Sequence, residues 1–167
     1  DLLVSVGGPV DGCEPLEDLL AAQSPEEPAD AVEGMAMLYS SGTTGRPKGV
    51  KGTLTGDPLG TSEAMTALVS LVFGANESSV YLSPAPLYHA APLAFCMNFL
   101  RLGSTIVVME HFDAAEALAL IERYRVTHSQ WVPTMFVRML KLPEEVRNAH
   151  DISSMQVAVH AAAPCPI

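Results

Sequence analysis

Apolar residues recur along this chain with two periods. In its second half, short β-branched runs alternate with longer stretches of helical spacing. Leu2 to Val6 reads as a short buried strand turned by Gly7-Gly8-Pro9. Pro15 to Gln23 suits a short helix with Leu16, Leu19 and Leu20 on one face, and the acids, prolines and alanines of Ser24 to Glu33 read as an exposed linker. Met35 to Ser40 reads as a strand and Val50 to Thr53 as its return. Pro58 to Phe73 suits a helix with Met65, Leu68, Val69 and Val72 facing the core, ended by Gly74.

From Val80 onward the alternation is regular. Val80 to Ser83 is a strand ending at Pro84, and Pro92 to Leu102 a mostly apolar, buried helix closed by Gly103. Thr105 to Met109 is a buried strand. Asp113 is placed to cap a helix, with Glu116 completing a capping-box-like pattern and Leu118, Ile121 and Tyr124 following at helical spacing. Val126 to Val132 is a strand, Thr134 to Leu142 a helix with Met135, Val137, Met139 and Leu140 inward, Glu144 to Asn148 a turn, and Met155 to Val159 a last strand. Strand–helix alternation predicts an α/β fold with a largely parallel sheet flanked by helices. Ligands of such sheets bind beyond the carboxyl ends of the strands, which directs attention to the loops after Ser40, Ser83, Val132 and Val159.

Composition narrows the classes. The 167 residues are 49% hydrophobic, enough for a genuine core, and the net charge of −10 argues against non-specific nucleic-acid binding. The three cysteines, Cys13, Cys96 and Cys165, lack metal-ligand spacing and suit a reducing, cytoplasmic setting; no metal site is expected from them. No run reaches the roughly 18 apolar residues of a membrane span, and no signal peptide opens the chain. The chain begins at Asp1 directly on an apolar run and stops after Pro166-Ile167, so both ends read as cut and a segment of a larger enzyme is expected.

The densest chemistry lies in Ser40-Ser41-Gly42-Thr43-Thr44-Gly45-Arg46-Pro47-Lys48-Gly49. Glycines free the backbone to converge its N–H groups on one point, hydroxyls add donors, and Lys48 adds a mobile charge, a combination suited to wrapping a polyanion. It is not a Walker A loop, because Lys48 sits between Pro47 and Gly49 and the glycine spacing is too short. Neither serine sits in a Gly-x-Ser-x-Gly elbow, so a hydrolase triad is weakly supported.

These ten residues closely resemble the signature loop of the adenylate-forming, or AMP-binding, superfamily. The chain looks most like a fatty acyl-CoA synthetase of the actinobacterial kind. The resemblance implies an internal fragment of the large N-terminal domain of such a fold: residues 1–34 a leading strand, helix and linker, 35–53 the phosphate loop with its flanking strands, 54–167 an α/β subdomain, and the C-terminal domain absent. It implies that Ser40, Ser41, Gly42, Thr43, Thr44, Gly45, Lys48 and Gly49 hold ATP phosphates. His89, in Pro86-Leu87-Tyr88-His89, and Trp131, in Trp131-Val132-Pro133-Thr134-Met135, would border the acyl pocket, although Trp131 is equally a plain core residue by its own chemistry. Ala161, Ala162, Ala163 and Pro164 would pass near the adenine, with alanines where relatives usually carry glycines. His128 and Gln130 alternate with Trp131, so at least one faces polar surroundings. His111, His150 and Asp151 read as surface residues.

The activity so implied is ATP-dependent conversion of a carboxylic acid, a fatty acid by these segments, to an acyl-adenylate, then transfer to coenzyme A, with ATP, Mg2+ and coenzyme A as substrates or cofactor. The family's magnesium-holding glutamate and catalytic lysine would lie beyond Ile167, so the chain alone is expected to be inactive. The alternatives are an amino-acid or aryl-acid adenylation domain and a non-catalytic nucleotide-binding fragment. The expected partners are small molecules only, a carboxylic acid and a nucleotide.

Overall fold

Backbone pairing divides the chain into two units, Asp1–Gly34 with Leu54–Leu59, and Met35–Thr53 with Gly60–Ile167. The structure, a computed structural model, describes residues 2–40, 48–61 and 64–164. In the first unit, β1 (Val4–Ser5) pairs in parallel with β2 (Glu14–Pro15), and α1 (Leu16–Ala21) follows. The expected strand over residues 2–6 is real but short and largely exposed, with Val6 76% accessible. The pairing of β2 had no apolar alternation to announce it. α1 buries none of its residues, so its leucine spacing is not a core stripe. Val32 bridges Pro58 across the unit, and Glu33 N–H donates to the Asp57 carbonyl at 2.8 Å.

The second unit opens with an antiparallel hairpin, β3 (Leu38–Ser40) and β4 (Lys48–Val50), in the register Leu38↔Val50, Tyr39↔Gly49, Ser40↔Lys48. The return strand therefore starts two residues before the expected Val50. The hairpin is its own two-stranded sheet, so the loop after Ser40 does not leave the carboxyl edge of the large sheet as expected. α2 (Ala64–Leu71) is shorter than predicted. It buries Thr66 and Val69, whereas Leu68 and Val72 are exposed, so the expected four-residue face holds only in part.

The remaining elements are β5 (Val80–Ser83), α3 (Ala90–Arg101), β6 (Thr105–Val108), α4 (Ala114–Tyr124), β7 (His128–Trp131), α5 (Pro133–Leu140), α6 (Glu144–Arg147) and β8 (Val157–His160). The four strands form one parallel sheet in the order β6-β5-β7-β8. This is the predicted α/β architecture. Gly103, at φ +78°, turns the chain from α3 toward β6 in a conformation other residues resist. The Asp113 carboxylate accepts from the N–H groups of Ala115 and Glu116, both at 2.9 Å, capping α4 as predicted; such a cap contributes about 1 kcal/mol.

Each sheet face has its own core. Leu82, Trp131, Ala117, Ile121, Val126 and Met135 fill the side covered by α4 and α5. Tyr81, Phe95, Cys96, Phe99 and Val69 fill the side covered by α3 and α2. Three details depart from the pattern reading. β6 lies at an edge with Val108 51% exposed, so its β-branched run is not covered on both sides. α3 exposes Leu93, Met97 and Leu100, and α5 exposes Val137 and Leu140. Apolar periodicity marks a helix without marking which apolar residues find a partner.

Candidate functional site

The parallel register brings the strand ends into line. Ser83 lies opposite Val108, and Trp131 opposite His160. The chain leaves β5 toward β6 through α3, and leaves β7 toward β8 through α5, in opposite directions along the sheet. Such a reversal opens a crevice between the two central strands, outside their carboxyl ends. β5 and β7 are paired only at Tyr81↔His128 and Leu82↔Ser129, so Ser83 and Gln130 stand where the strands part.

Three predicted segments meet this edge. His89 is exposed, with extended backbone (φ −86°, ψ 145°) at the start of α3, and its ring lies 4.6 Å from that of the exposed Tyr88. Trp131, at the end of β7, is 2% accessible and packs edge-on to Phe112 and against Phe136, at 6.4 and 5.8 Å between centroids. Ala161 follows β8 directly, and its N–H donates to the Trp131 carbonyl at 3.1 Å. Ala162 then takes a left-handed φ of +75°, a strained position for alanine and an easy one for glycine. Ala163 and Pro164 are exposed beside it. The structure thus joins Trp131 to the alanine loop by backbone and sets His89 on the same edge.

The strands that flank the hydroxyl-rich segment, β3 and β4, are not paired with this sheet. Ser41, Gly42, Thr43, Thr44 and Gly45 lie outside the described residues, as does Cys165. Their flanks are described: Ser40 and Lys48 are register partners, and Lys48 is a strand residue rather than part of the loop. A Cβ added at Gly49 would sit 3.2 Å from the Tyr39 ring, a tight contact that a small shift of this exposed ring relieves.

The face of the sheet under α3 carries four polar groups, of which the sequence reading singled out His128 and Gln130 but not Tyr81 and Ser83. Tyr81, Ser83, His128 and Gln130 share it by strand alternation and register. Phe73 O and Thr127 Oγ1 lie at 2.9 and 2.8 Å from the two His128 ring nitrogens. By contrast the buried Tyr81 Oη and Ser83 Oγ approach only the Gln130 backbone and the Cys96 thiol, and Gln130 Oε1 is buried without a hydrogen-bond partner. Such a group costs roughly 1–3 kcal/mol to leave unpaired. Burial pushes the Tyr81 hydroxyl far above its ordinary value, reinforced by the Cys96 thiol and opposed by the Gln130 backbone. Burial likewise raises the Cys96 thiol, against the pull of the Ser83 hydroxyl. On the other face, His160 Nε2 is also buried and unpartnered, beside the Phe136 ring at 6.2 Å. The signal for this set was a run of three polar residues, His128-Ser129-Gln130, in a strand between apolar neighbours, beside Tyr81 and Ser83 in β5.

Two features lie elsewhere. A shallow hollow of about 390 Å³, lined by Ser70, Ala75, Asn76, Glu77, Ser78 and Leu102, opens at the opposite, amino-terminal end of β5. Asp151 pairs with Arg125 at 2.7 Å, and the neighbouring His150 with Glu122 at 2.8 Å, both on the surface. Among the described residues no cluster of three His, Cys, Asp or Glu side chains is placed to hold a metal, and no helix is long and apolar enough to cross a membrane.

Comparison with known proteins places this geometry. The chain is 34% identical over 173 residues to 4-coumarate–CoA ligase 5 of Oryza sativa subsp. japonica, covering 97% of this chain and 30% of that protein. Its fold superposes on the inhibitor-bound N-terminal domain of FACL13 from Mycobacterium tuberculosis with a TM-score of 0.70 and 28% identity, covering 90% of this chain and 37% of that one. It also superposes on the o-succinylbenzoate coenzyme A synthetase of Bacillus subtilis solved with AMP, with a TM-score of 0.66 and 25% identity, over 93% of this chain and 31% of that one. The chain thus spans about 30% of the length of the curated relatives it matches. The AMP-binding enzyme profile matches residues 3–167, and with this match over almost the whole length and a parallel α/β sheet, this chain belongs to the AMP-binding enzyme family.

Proposed function

We propose that this chain is part of the N-terminal domain of an acid–thiol ligase that activates a carboxylic acid with ATP and passes the acyl group to coenzyme A. The observation that carries the reading is the run from Ser40 to Gly49 in a chain matched to the family almost end to end. Its donor set fits a triphosphate: hydroxyls, glycine backbone and one lysine, with Ser40 and Lys48 facing each other across the base of the loop.

In the first step a carboxylate oxygen of the acid bonds to the α-phosphorus while the α–β bridging bond breaks and pyrophosphate leaves. Both reactants are anionic, so positioning and charge neutralisation dominate the barrier. Ser40, Ser41, Thr43, Thr44 and Lys48 would hold the departing phosphates, with Gly42, Gly45 and Gly49 letting the backbone close on them. In the second step the thiol sulfur of coenzyme A bonds to the acyl carbon, its proton is released, and AMP leaves. His89 would border the acyl group at the sheet edge. Trp131, buried behind that edge, would support its wall, and Ala161, Ala162, Ala163 and Pro164 would lie against the adenine. Magnesium would neutralise phosphate charge when bound; no carboxylate cluster among the described residues is assigned to it.

Two acid classes compete. The segments Pro86 to His89 and Trp131 to Met135 favour a fatty acid by resemblance. The 34% identity to a 4-coumarate–CoA ligase favours an aryl acid. An acid panel in a pyrophosphate-release assay on the full-length protein containing this chain separates them. In the same assay Lys48→Ala lowers kcat/KM by about 10²–10³-fold, roughly 2.7–4 kcal/mol of transition-state stabilisation. Unchanged turnover would remove Lys48 from the phosphate site.

A further inference from the structure

The structure assigns Arg138 as a positioning residue for the alanine run that follows β8, acting through a chain of packed rings that starts at Phe112 and ends beside Ala161. The inference rests on the ligase reading for what the alanine run faces, and on geometry alone for the chain itself.

The chain can be followed contact by contact. Arg138 is an exposed residue of α5. Its guanidinium carbon stands 4.7 Å from the centroid of the Phe112 ring, and its Nη2 donates to the Phe112 carbonyl at 3.2 Å. One side chain thus holds both the ring and the backbone of a residue in the loop between β6 and α4. Phe112 meets Trp131 edge-on, Trp131 packs against Phe136, and the Phe136 ring stacks on His160 with 24° between planes. His160 is the register partner of Trp131, and the next residue, Ala161, donates its N–H to the Trp131 carbonyl. Ala161 is therefore tied to the rings twice, through His160 before it and through Trp131 across from it.

Two features separate Arg138 from an ordinary surface cation. The first is its choice of partner. Arg125 pairs with the Asp151 carboxylate, whereas among the described residues Arg138 pairs with no carboxylate and spends its fork on a ring and a neutral carbonyl. A planar guanidinium can stack and donate at once, which fixes direction as well as distance. The second is what lies at the far end. Ala162 is held at a φ of +75°, and a non-glycine residue keeps such a conformation only where its surroundings over-determine it. The rings that hold Ala161 from below supply that constraint, and Arg138 closes their outer end. In the ligase reading the run from Ala161 to Pro164 lies against the adenine, so slack in the rings reaches the nucleotide first.

The test uses the full-length protein and two variants, Arg138→Met, which keeps the stem and removes the charge and donors, and Phe112→Leu. In acid-dependent pyrophosphate release each raises KM for ATP about three- to tenfold with kcat changed less than twofold, and in thioester formation KM for coenzyme A stays at the parent value. The double variant is no worse than the worse single one, because both cut the same chain. A purely structural role gives a different result: a lower melting temperature and a smaller active fraction, hence a lower kcat with both KM values unmoved. That result, an unchanged KM for ATP, or effects that multiply in the double variant overturn the inference and leave the ligase reading intact. If no acid releases pyrophosphate, the ligase reading fails, and calorimetric titration with ATP decides. A Kd raised several-fold by Arg138→Met at an unchanged melting temperature upholds the inference; an equal Kd, or no ATP binding by the parent, overturns it.

Discussion

The two faces of the four-stranded sheet are built from the same strands and treat polarity differently. Under α4 and α5, Leu82, Trp131 and Met135 pack with Ile121 and Val126 in an apolar cluster. Under α3, Tyr81, Ser83, His128 and Gln130 are buried beside Phe99 and Cys96. A sheet in need only of stability gains nothing from the second arrangement, because apolar replacements of similar shape avoid the cost of unpaired polar atoms. The difference teaches that the α4/α5 side is the more apolar of the two, with Ser129 and His160 as its polar exceptions, while the α3 side buries four polar side chains together.

The contrast breaks most forcibly at Trp131. Trp131→Ala removes the largest buried side chain of the apolar side and is expected to cost about 3–5 kcal/mol, read as a lower midpoint in denaturant unfolding. Ala162→Gly works in the opposite sense: it relieves the left-handed strain at +75° and raises stability by up to about 1 kcal/mol in the same experiment. Tyr81→Phe, on the polar side, changes stability by less than about 1 kcal/mol despite complete burial, since its hydroxyl has only the Gln130 backbone contact to lose. A cost comparable to that of Trp131→Ala would erase the distinction between the faces.

The smallest effect lies at the rim. Asp151 is held at about 2 by the Ser153 hydroxyl and backbone and by Arg125, below its ordinary 3.8. A carboxylate depressed in the folded state adds stability above its unfolded value and loses it as pH falls toward the folded one. Melting temperature therefore drops between pH about 4 and about 2, and Asp151→Asn flattens that portion of the curve. Because the pair is exposed, high salt shrinks the Arg125 share of the difference.

Much of the sheet was legible before any coordinates. Val80 to Ser83 before Pro84 marked β5 at its observed bounds, and Asp113 capped α4 as its spacing implied. These signals are local: a proline ends a strand, and a carboxylate two residues ahead reaches free N–H groups. What pattern missed depends on contacts distant in sequence. Thr105 to Val108 reads as interior yet borders the sheet, and Val72 and Leu140 keep helical spacing yet lie exposed. The candidate site divides in the same way. The loop, His89 and the alanine run were visible as motifs, but Ser83 and Gln130 gain meaning only once β5 and β7 are known to be neighbours that part beyond Leu82 and Ser129.

The sheet order has a practical corollary. β6 and β8 border the sheet, and among the described residues neither has a second neighbour, so each presents a row of uncommitted peptide groups. Handled as an isolated polypeptide, such a sheet invites strand-to-strand association between molecules, and its solubility will be governed by whatever shields those two borders.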